Sequence, residues 1–166
     1  MIQKTVKRLR PLVENEDIYI VTNAAYKELV FGQLPDIPKE NVLLEPCARN
    51  TAPCIAFAAA VINRKYEDAV MLVLPSDHLI GYEDIYINTL KKAIKAAESG
   101  KRLVTIGITP EYPETGYGYI NFGEAKEDVY SVERFVEKPD LPTAKEYLAR
   151  ESSLLRRLER GREIGL

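Results

Sequence analysis

Apolar positions return at helical spacing from the first residues, where Ile2, Val6, Leu9 and Val13 predict an amphipathic helix. A compact apolar run, Ile18-Tyr19-Ile20-Val21 within Asp17 to Thr22, then predicts a buried strand. Asn23 is suited to cap a short helix that ends near Gly32. Pro35 and Pro38 mark the stretch from Leu34 to Asn41 as a loop, and Val42 to Glu45 follows as a second short strand. The next helix has Asn50 or Thr51 as its cap and Pro53 in its first turn. From Ile55 to Ile62 it is apolar on every side, which predicts a buried helix. Ala69 to Leu74 reads as a continuous apolar strand stopped by Pro75. Asp84 to Ser99 is an amphipathic helix with Ile87, Leu90, Ile94 and Ala97 on one face and Gly100 as its stop, and Leu103 to Ile108 is a further strand.

Strands and helices therefore alternate, which implies an α/β domain with a mostly parallel sheet flanked by helices and right-handed crossovers. The pattern changes after Pro110. Tyr117 to Phe122 and Val129 to Glu137 read as strands with no helix between them, so an antiparallel excursion is expected. Thr143 and Glu146 have capping-box spacing and are expected to open a last helix. A doubly wound nucleotide-binding domain usually begins with a strand ending in a glycine-rich phosphate turn. Here the first element is a helix, and the nine glycines never cluster into such a turn.

Composition narrows the possibilities without naming a chemistry. With 166 residues, 46% hydrophobic and 29% charged, the chain has the balance of a soluble globular protein. A net charge of −2 gives no reason to expect a nucleic acid or an anionic membrane as partner. No window approaches the run of about 18 apolar residues that a membrane span needs. The charged start, Met1-Ile2-Gln3-Lys4, does not read as a signal peptide, and a cytoplasmic location is the expectation. Two cysteines, Cys47 and Cys54, and a single histidine do not supply a zinc site, so both thiols are expected to be reduced and structural.

Four stretches can carry chemistry, three of them at the C-terminal ends of expected parallel strands, where open α/β sheets bind ligands. Glu45-Pro46-Cys47-Ala48-Arg49-Asn50-Thr51-Ala52-Pro53 runs into a helix N-terminus, which favours anions; a capped helix with a surface arginine is an equal reading. Leu74-Pro75-Ser76-Asp77-His78 ends a buried strand in an acid. One carboxylate suffices for Mg²⁺ when phosphates and waters complete its shell, although Asp77 could simply cap a turn. His78 reads as a hydrogen-bonded structural residue. Pro113-Glu114-Thr115-Gly116-Tyr117-Gly118-Tyr119-Ile120 places two glycines around a tyrosine, where the backbone could approach a ligand or the tyrosines could pack. Phe135-Val136-Glu137-Lys138-Pro139 sets an acid and a base side by side, expected on opposite faces of a strand. The carboxylate suits paired sugar hydroxyls and the ammonium suits a phosphate, while either alone could be a surface charge.

Together, EPCARNTAP, LPSDH, PETGYGYI and FVEKP resemble the mannose-1-phosphate guanylyltransferases, also called GDP-mannose pyrophosphorylases, over roughly Ile2 to Ala149. FVEKP is shared with sugar nucleotidyltransferases generally; RNTAP with LPSDH points more narrowly to the mannose enzymes. The resemblance implies a Rossmann-like, GT-A-like nucleotidyltransferase fold and the reaction of GTP with mannose 1-phosphate to GDP-mannose and pyrophosphate. It implies Mg²⁺ at Asp77, nucleotide contacts from Glu45, Arg49, Asn50, Thr51 and Ser76, and sugar-phosphate contacts from Tyr117, Gly118, Glu137 and Lys138. Asp77 and Lys138 would be the catalytic pair, with no nucleic acid or membrane partner. A homodimer is compatible with this reading.

Two departures qualify the resemblance. The family's N-terminal strand and glycine-rich phosphate loop have no match here, and neither do its tryptophan and Asn-Ser-Gly element beyond Ala149. The expectation is an incomplete nucleotidyltransferase domain over 1–149, lacking its first strand and phosphate loop, and a charged helical tail over 150–166. Removing one transition-state donor costs about 10²–10³ in rate, so the chain alone is expected to be nearly inactive, with apolar strand edges exposed. Another sugar-1-phosphate nucleotidyltransferase, or a non-catalytic sugar-nucleotide-binding fragment, are the alternatives.

Overall fold

A computed structural model describes residues 1–47, 50–100, 103–126, 129–149 and 153–155. The chain divides into two compact units, Met1–Asp77 and His78–Leu166.

In the first unit, α1 (Ile2–Leu9) leads through a short 3-10 turn into β1 (Ile20–Asn23), α2 (Lys27–Gln33), β2 (Val42–Glu45) and α3 (Thr51–Ile62). β1 and β2 pair in parallel, Ile20 opposite Val42 and Asn23 opposite Glu45, with α2 in the connection between them. This is the right unit for a βαβ arrangement, because parallel neighbours require a crossover that helices supply. The core gathers Val6 from α1, Ile18, Val30 and Leu34 from the α2 region, Ile37 and Val42. Ile2, Val13, Ile20, Phe31 and Leu44 pack against it, so the helical spacing of Ile2 and Val6 found its use. Asn23 caps the 3-10 turn Ala24–Tyr26 that leads into α2, its side-chain oxygen accepting from the Ala25 amide at 2.9 Å, whereas α2 itself starts after Tyr26 with no side-chain cap.

Two expectations for this unit fail. Ala69–Leu74 makes no strand: no described segment offers it a ladder, and Val70 and Val73 are 39% and 50% exposed. An apolar run marks what a strand would bury, but only a partner's amides and carbonyls make one. Nor is α3 buried throughout, since Ala58 alone among its residues is. Apolarity on every side permits burial, and neighbours cover this helix only in part.

In the second unit, α4 (Glu83–Glu98) buries Tyr86, Ile87, Thr89, Leu90, Ala93 and Ala96, a face displaced slightly from the expected one. The expected strand at Leu103–Ile108 reduces to an isolated bridge at Ile108, and Leu103 is fully exposed. The antiparallel excursion is present as β3 (Tyr119–Lys126) and β4 (Val129–Val136), running from Tyr119 opposite Val136 to Lys126 opposite Val129 with register shifts on either side of Phe122. α5 (Leu141–Ala149) follows. It starts two residues before Thr143, so the expected capping box is absent. Asp140 is the cap instead, its carboxylate accepting from the Thr143 amide at 3.0 Å and its carbonyl from Ala144 at 2.8 Å. β5 (Ser153–Leu155) pairs antiparallel with the free side of β3. These three residues correct the helical reading of the tail, because an available strand edge overrides a weak helical pattern; the other residues from 150 onward lie outside the described ones.

Tyr119 and Ala144 are fully buried and Tyr147 nearly so, with Tyr117 and Val136 packed around them. The Tyr119 and Tyr147 rings lie 5.5 Å apart and tilted, and the Arg134 guanidinium donates to the Tyr147 hydroxyl at 3.0 Å. α5 is thereby fixed against the start of β3 and the end of β4, the place where the third and fourth motif stretches meet. Among the described residues, no helix is long and apolar enough to cross a membrane.

Candidate functional site

The sequence-derived candidates fall on both units, so each group stands on its own surroundings. In the first unit, Glu45 is the last residue of β2, and α3 begins six residues later. Between them Arg49 lies outside the described residues. Asn50, one of the two expected caps, occupies the N-cap position of α3, although its side chain makes no capping bond. Its φ of 66° and ψ of −173° put a non-glycine residue where L side chains are strained, at a cost of about 1–3 kcal/mol. Asn50 and Thr51 are both exposed at this helix start, with the amides of the first turn unpaired within the helix. Cys54, one turn into α3, reaches back to Glu45. Burial pushes its thiol up from the ordinary range, and the negative charge and hydrogen bond of Glu45 push in the same direction.

Ser76 and Asp77 form an exposed turn after the extended run. Its position is fixed partly from α1, where the hydroxyl of buried Thr5 donates to the Ser76 carbonyl at 3.2 Å. Sequence reasoning missed Thr5, because nothing local connects residues 71 positions apart. His78 does not fulfil the hydrogen-bonded role through Nδ1, which is buried without a partner. No group of three or more histidine, cysteine, aspartate or glutamate side chains able to hold a metal occurs among the described residues. Asp77 on its own still suits Mg²⁺, a hard cation that takes one or two carboxylates and completes its shell with phosphate and water oxygens.

In the second unit the third and fourth stretches come together. The ladder between β3 and β4 ends at Tyr119 opposite Val136, so Gly118 stands across from Glu137 one step beyond it. A Cβ built on Gly118 would lie 3.2 Å from Glu137 Oε2 and 3.4 Å from the Val136 carbonyl oxygen. Gly116 has a comparable neighbour: its amide donates to Glu114 Oε1 at 2.8 Å, and a Cβ there would meet the same oxygen at 3.1 Å. Both glycines of Gly116-Tyr117-Gly118 thus admit a glutamate of the same chain. Glu114 was missed in the sequence, although its spacing of two from Gly116 is that of a side chain closing a turn on a following amide. Tyr117 packs into the tyrosine cluster with its neighbours Tyr119 and Val136. Burial pushes the Tyr119 phenol up, and the nearby Glu114 backbone partly offsets it.

Glu137 and Lys138 follow the strand end, so strand alternation no longer determines their directions. Lys138 has φ 39°, the second positive-φ non-glycine residue among those described. Left-handed backbone costs roughly 1–2 kcal/mol for such a residue. Both side chains are exposed at this corner. The two strained non-glycine positions, Asn50 and Lys138, are both candidates read from the sequence.

The nucleotidyl transferase family profile matches residues 1–152. A mannose-1-phosphate guanylyltransferase of Salmonella muenchen is 47% identical over 156 residues, covering 91% of this chain and 33% of that protein. One from Escherichia coli K12 is 45% identical over 158 residues, covering 90% and 33%. The xanthan biosynthesis protein XanB of Xanthomonas campestris is 47% identical over 151 residues, covering 90% and 32%. The chain therefore spans about a third of the length of the curated relatives it matches. Among solved structures, one from Thermus thermophilus described as a mannose-1-phosphate geranyltransferase superposes with a TM-score of 0.80 at 31% identity, covering 92% of this chain and 44% of that one. A Helicobacter pylori structure described as a mannose-6-phosphate isomerase gives 0.70 at 29% identity, covering 93% and 57%.

Proposed function

The chain belongs to the nucleotidyl transferase family, and from that premise we propose that it forms the sugar- and nucleotide-contacting part of an enzyme making GDP-mannose from GTP and mannose 1-phosphate. The observation that carries this reading is 47% identity to a mannose-1-phosphate guanylyltransferase across 91% of the chain. A mannose phosphate also recurs in the descriptions of both structural neighbours.

The residue types fit the reaction. A phosphate oxygen of mannose 1-phosphate attacks the α-phosphorus of GTP, a P–O bond forms there, and the bond to the β-phosphate breaks to release pyrophosphate. The nucleophile is already anionic, so no general base is needed. What remains is alignment of the two substrates and positive charge facing the phosphates. Glu45, Arg49, Asn50, Thr51 and Ser76 take the nucleotide in this reading, with the first-turn amides of α3 available to an anion. Glu137 accepts from sugar hydroxyls beside Tyr117 and Gly118, and the Lys138 ammonium takes the sugar phosphate. Asp77 would hold Mg²⁺, which when bound supplies charge neutralisation on phosphate oxygens. A cytoplasmic location accords with the two free thiols.

Calorimetric titration of the chain with mannose 1-phosphate and with GDP-mannose, alongside pyrophosphate release from GTP in Mg²⁺, tests the proposal. Saturable binding that Glu137→Gln and Lys138→Ala each weaken by about tenfold supports it. Binding without any pyrophosphate release would assign the chain a binding role only. Absence of binding to either ligand would overturn the reading.

A further inference from the structure

Gly118 invites a question that its backbone does not answer, since no glycine among the described residues has positive φ. A residue with a side chain could adopt the conformation, so the reason for glycine must lie in the space around it. That space is taken by Glu137. In an antiparallel pair, residues directly opposite project to the same face with Cβ atoms about 4.5–5.5 Å apart. The ladder between β3 and β4 ends at Tyr119 and Val136, and Gly118 and Glu137 are the next residues past it, brought close by the turn rather than by a further ladder pair. The position of a Cβ at residue 118 is 3.2 Å from Glu137 Oε2, tighter than ordinary contact between such atoms.

Gly116 differs from Gly118 in what its neighbouring carboxylate does. There the carboxylate of Glu114 is consumed by the turn, since Oε1 accepts the Gly116 amide at 2.8 Å. The carboxylate of Glu137 is exposed and rests over the bare Cα of Gly118. The carboxylate thus occupies space that a Cβ at residue 118 would need, and its oxygens remain exposed to a ligand.

We propose that Gly118 is a positioning residue that acts through Glu137: its missing side chain leaves the hollow that seats the Glu137 carboxylate for sugar hydroxyls. The proposal rests on the assignment of this corner to mannose 1-phosphate. It differs from a direct role for Gly118, in which the bare backbone itself would touch the sugar.

A double-mutant cycle on the full chain separates the two, with mannose 1-phosphate as the titrated ligand and circular dichroism confirming the fold of each variant. Gly118→Ala is expected to weaken binding by about tenfold, the effect of displacing a charged hydrogen-bond acceptor. In a Glu137→Ala background the same substitution is expected to change binding by less than about twofold, because no carboxylate remains to displace. An equal loss in both backgrounds, or no loss in the first, would overturn the positioning role while leaving the sugar assignment intact. A ligand-free readout accompanies the cycle: the carboxyl carbon resonance of Glu137, labelled with ¹³C, should move in Gly118→Ala. An unmoved resonance would also overturn the proposal. Failure of the parent chain to bind mannose 1-phosphate, with the resonance moved as expected, would instead sink the sugar assignment and confine Gly118 to seating the carboxylate.

Discussion

The side-chain amide of Asn41 donates to the carbonyl of Ile18 at 3.1 Å, joining the approaches to β1 and β2 across 23 residues of sequence. The same nitrogen also donates to the Glu16 carbonyl at 2.8 Å, and Asn41 is only 4% exposed. One amide thus satisfies two backbone acceptors just before the parallel pairing begins at Ile20 opposite Val42. Asn41→Ala removes both bonds, including the buried one to the Ile18 carbonyl, while the Glu16 carbonyl keeps the Lys65 ammonium at 3.3 Å. Urea unfolding should show a loss of about 1–3 kcal/mol. A change smaller than about 0.5 kcal/mol would mean that water replaces the amide without penalty.

Asp140 at the start of α5 gives a pH-dependent contribution. Its carboxylate is held below the ordinary range by the hydroxyl of Thr143 and, after it, by the Thr143 amide. A folded-state pKa below the unfolded one means stabilisation present above the ordinary carboxylate range and lost as pH falls through the depressed value. The gap in Tm between the parent chain and Asp140→Ala should therefore be widest at neutral pH and close on acidification. Asn at this position keeps an acceptor for the Thr143 amide, so Asp140→Asn should retain part of that gap throughout. A gap independent of pH would rule out the carboxylate as its source.

The thiols offer a chemical probe of the segment between β2 and α3. Cys47 is exposed, whereas the Cys54 thiol is pushed up by burial and by Glu45. Thiolate is the reactive form, so timed alkylation near neutral pH followed by mass spectrometry should label Cys47 well before Cys54. Glu45→Gln removes the negative charge and should accelerate labelling of Cys54 at the same pH. Equal rates at the two cysteines in the parent chain would contradict this placement of Glu45 beside Cys54.

The sequence displayed the segments governed by local rules. Val42 to Glu45 matched β2 end to end, the Asn23 cap depends on one side chain reaching an amide two residues on, and the Tyr117 to Glu137 region read correctly as antiparallel. It failed where an element needs a distant partner. Ala69–Leu74 and Leu103–Ile108 have the apolar content of strands and no described ladder beyond the bridge at Ile108, while Ser153–Leu155 became a strand because β3 had an edge to offer. At the candidate site the motifs named the residues, but the settings came from elsewhere. Thr5 steadies Ser76 from another helix, and Asp140 displaced Thr143 as cap.

The Gly116-Tyr117-Gly118 stretch shows the same division most closely. The sequence by itself determined that two glycines flank a tyrosine and that, further along, an acid and a base stand side by side. Only the tertiary structure decided that the hollows over the two glycines hold Glu114 and Glu137 of the same chain. The physical reason is that a motif records which side chains exist, while the space a missing Cβ leaves is filled by whichever strand the fold lays across it. Register, set by the pairing of Tyr119 with Val136, chose Glu137.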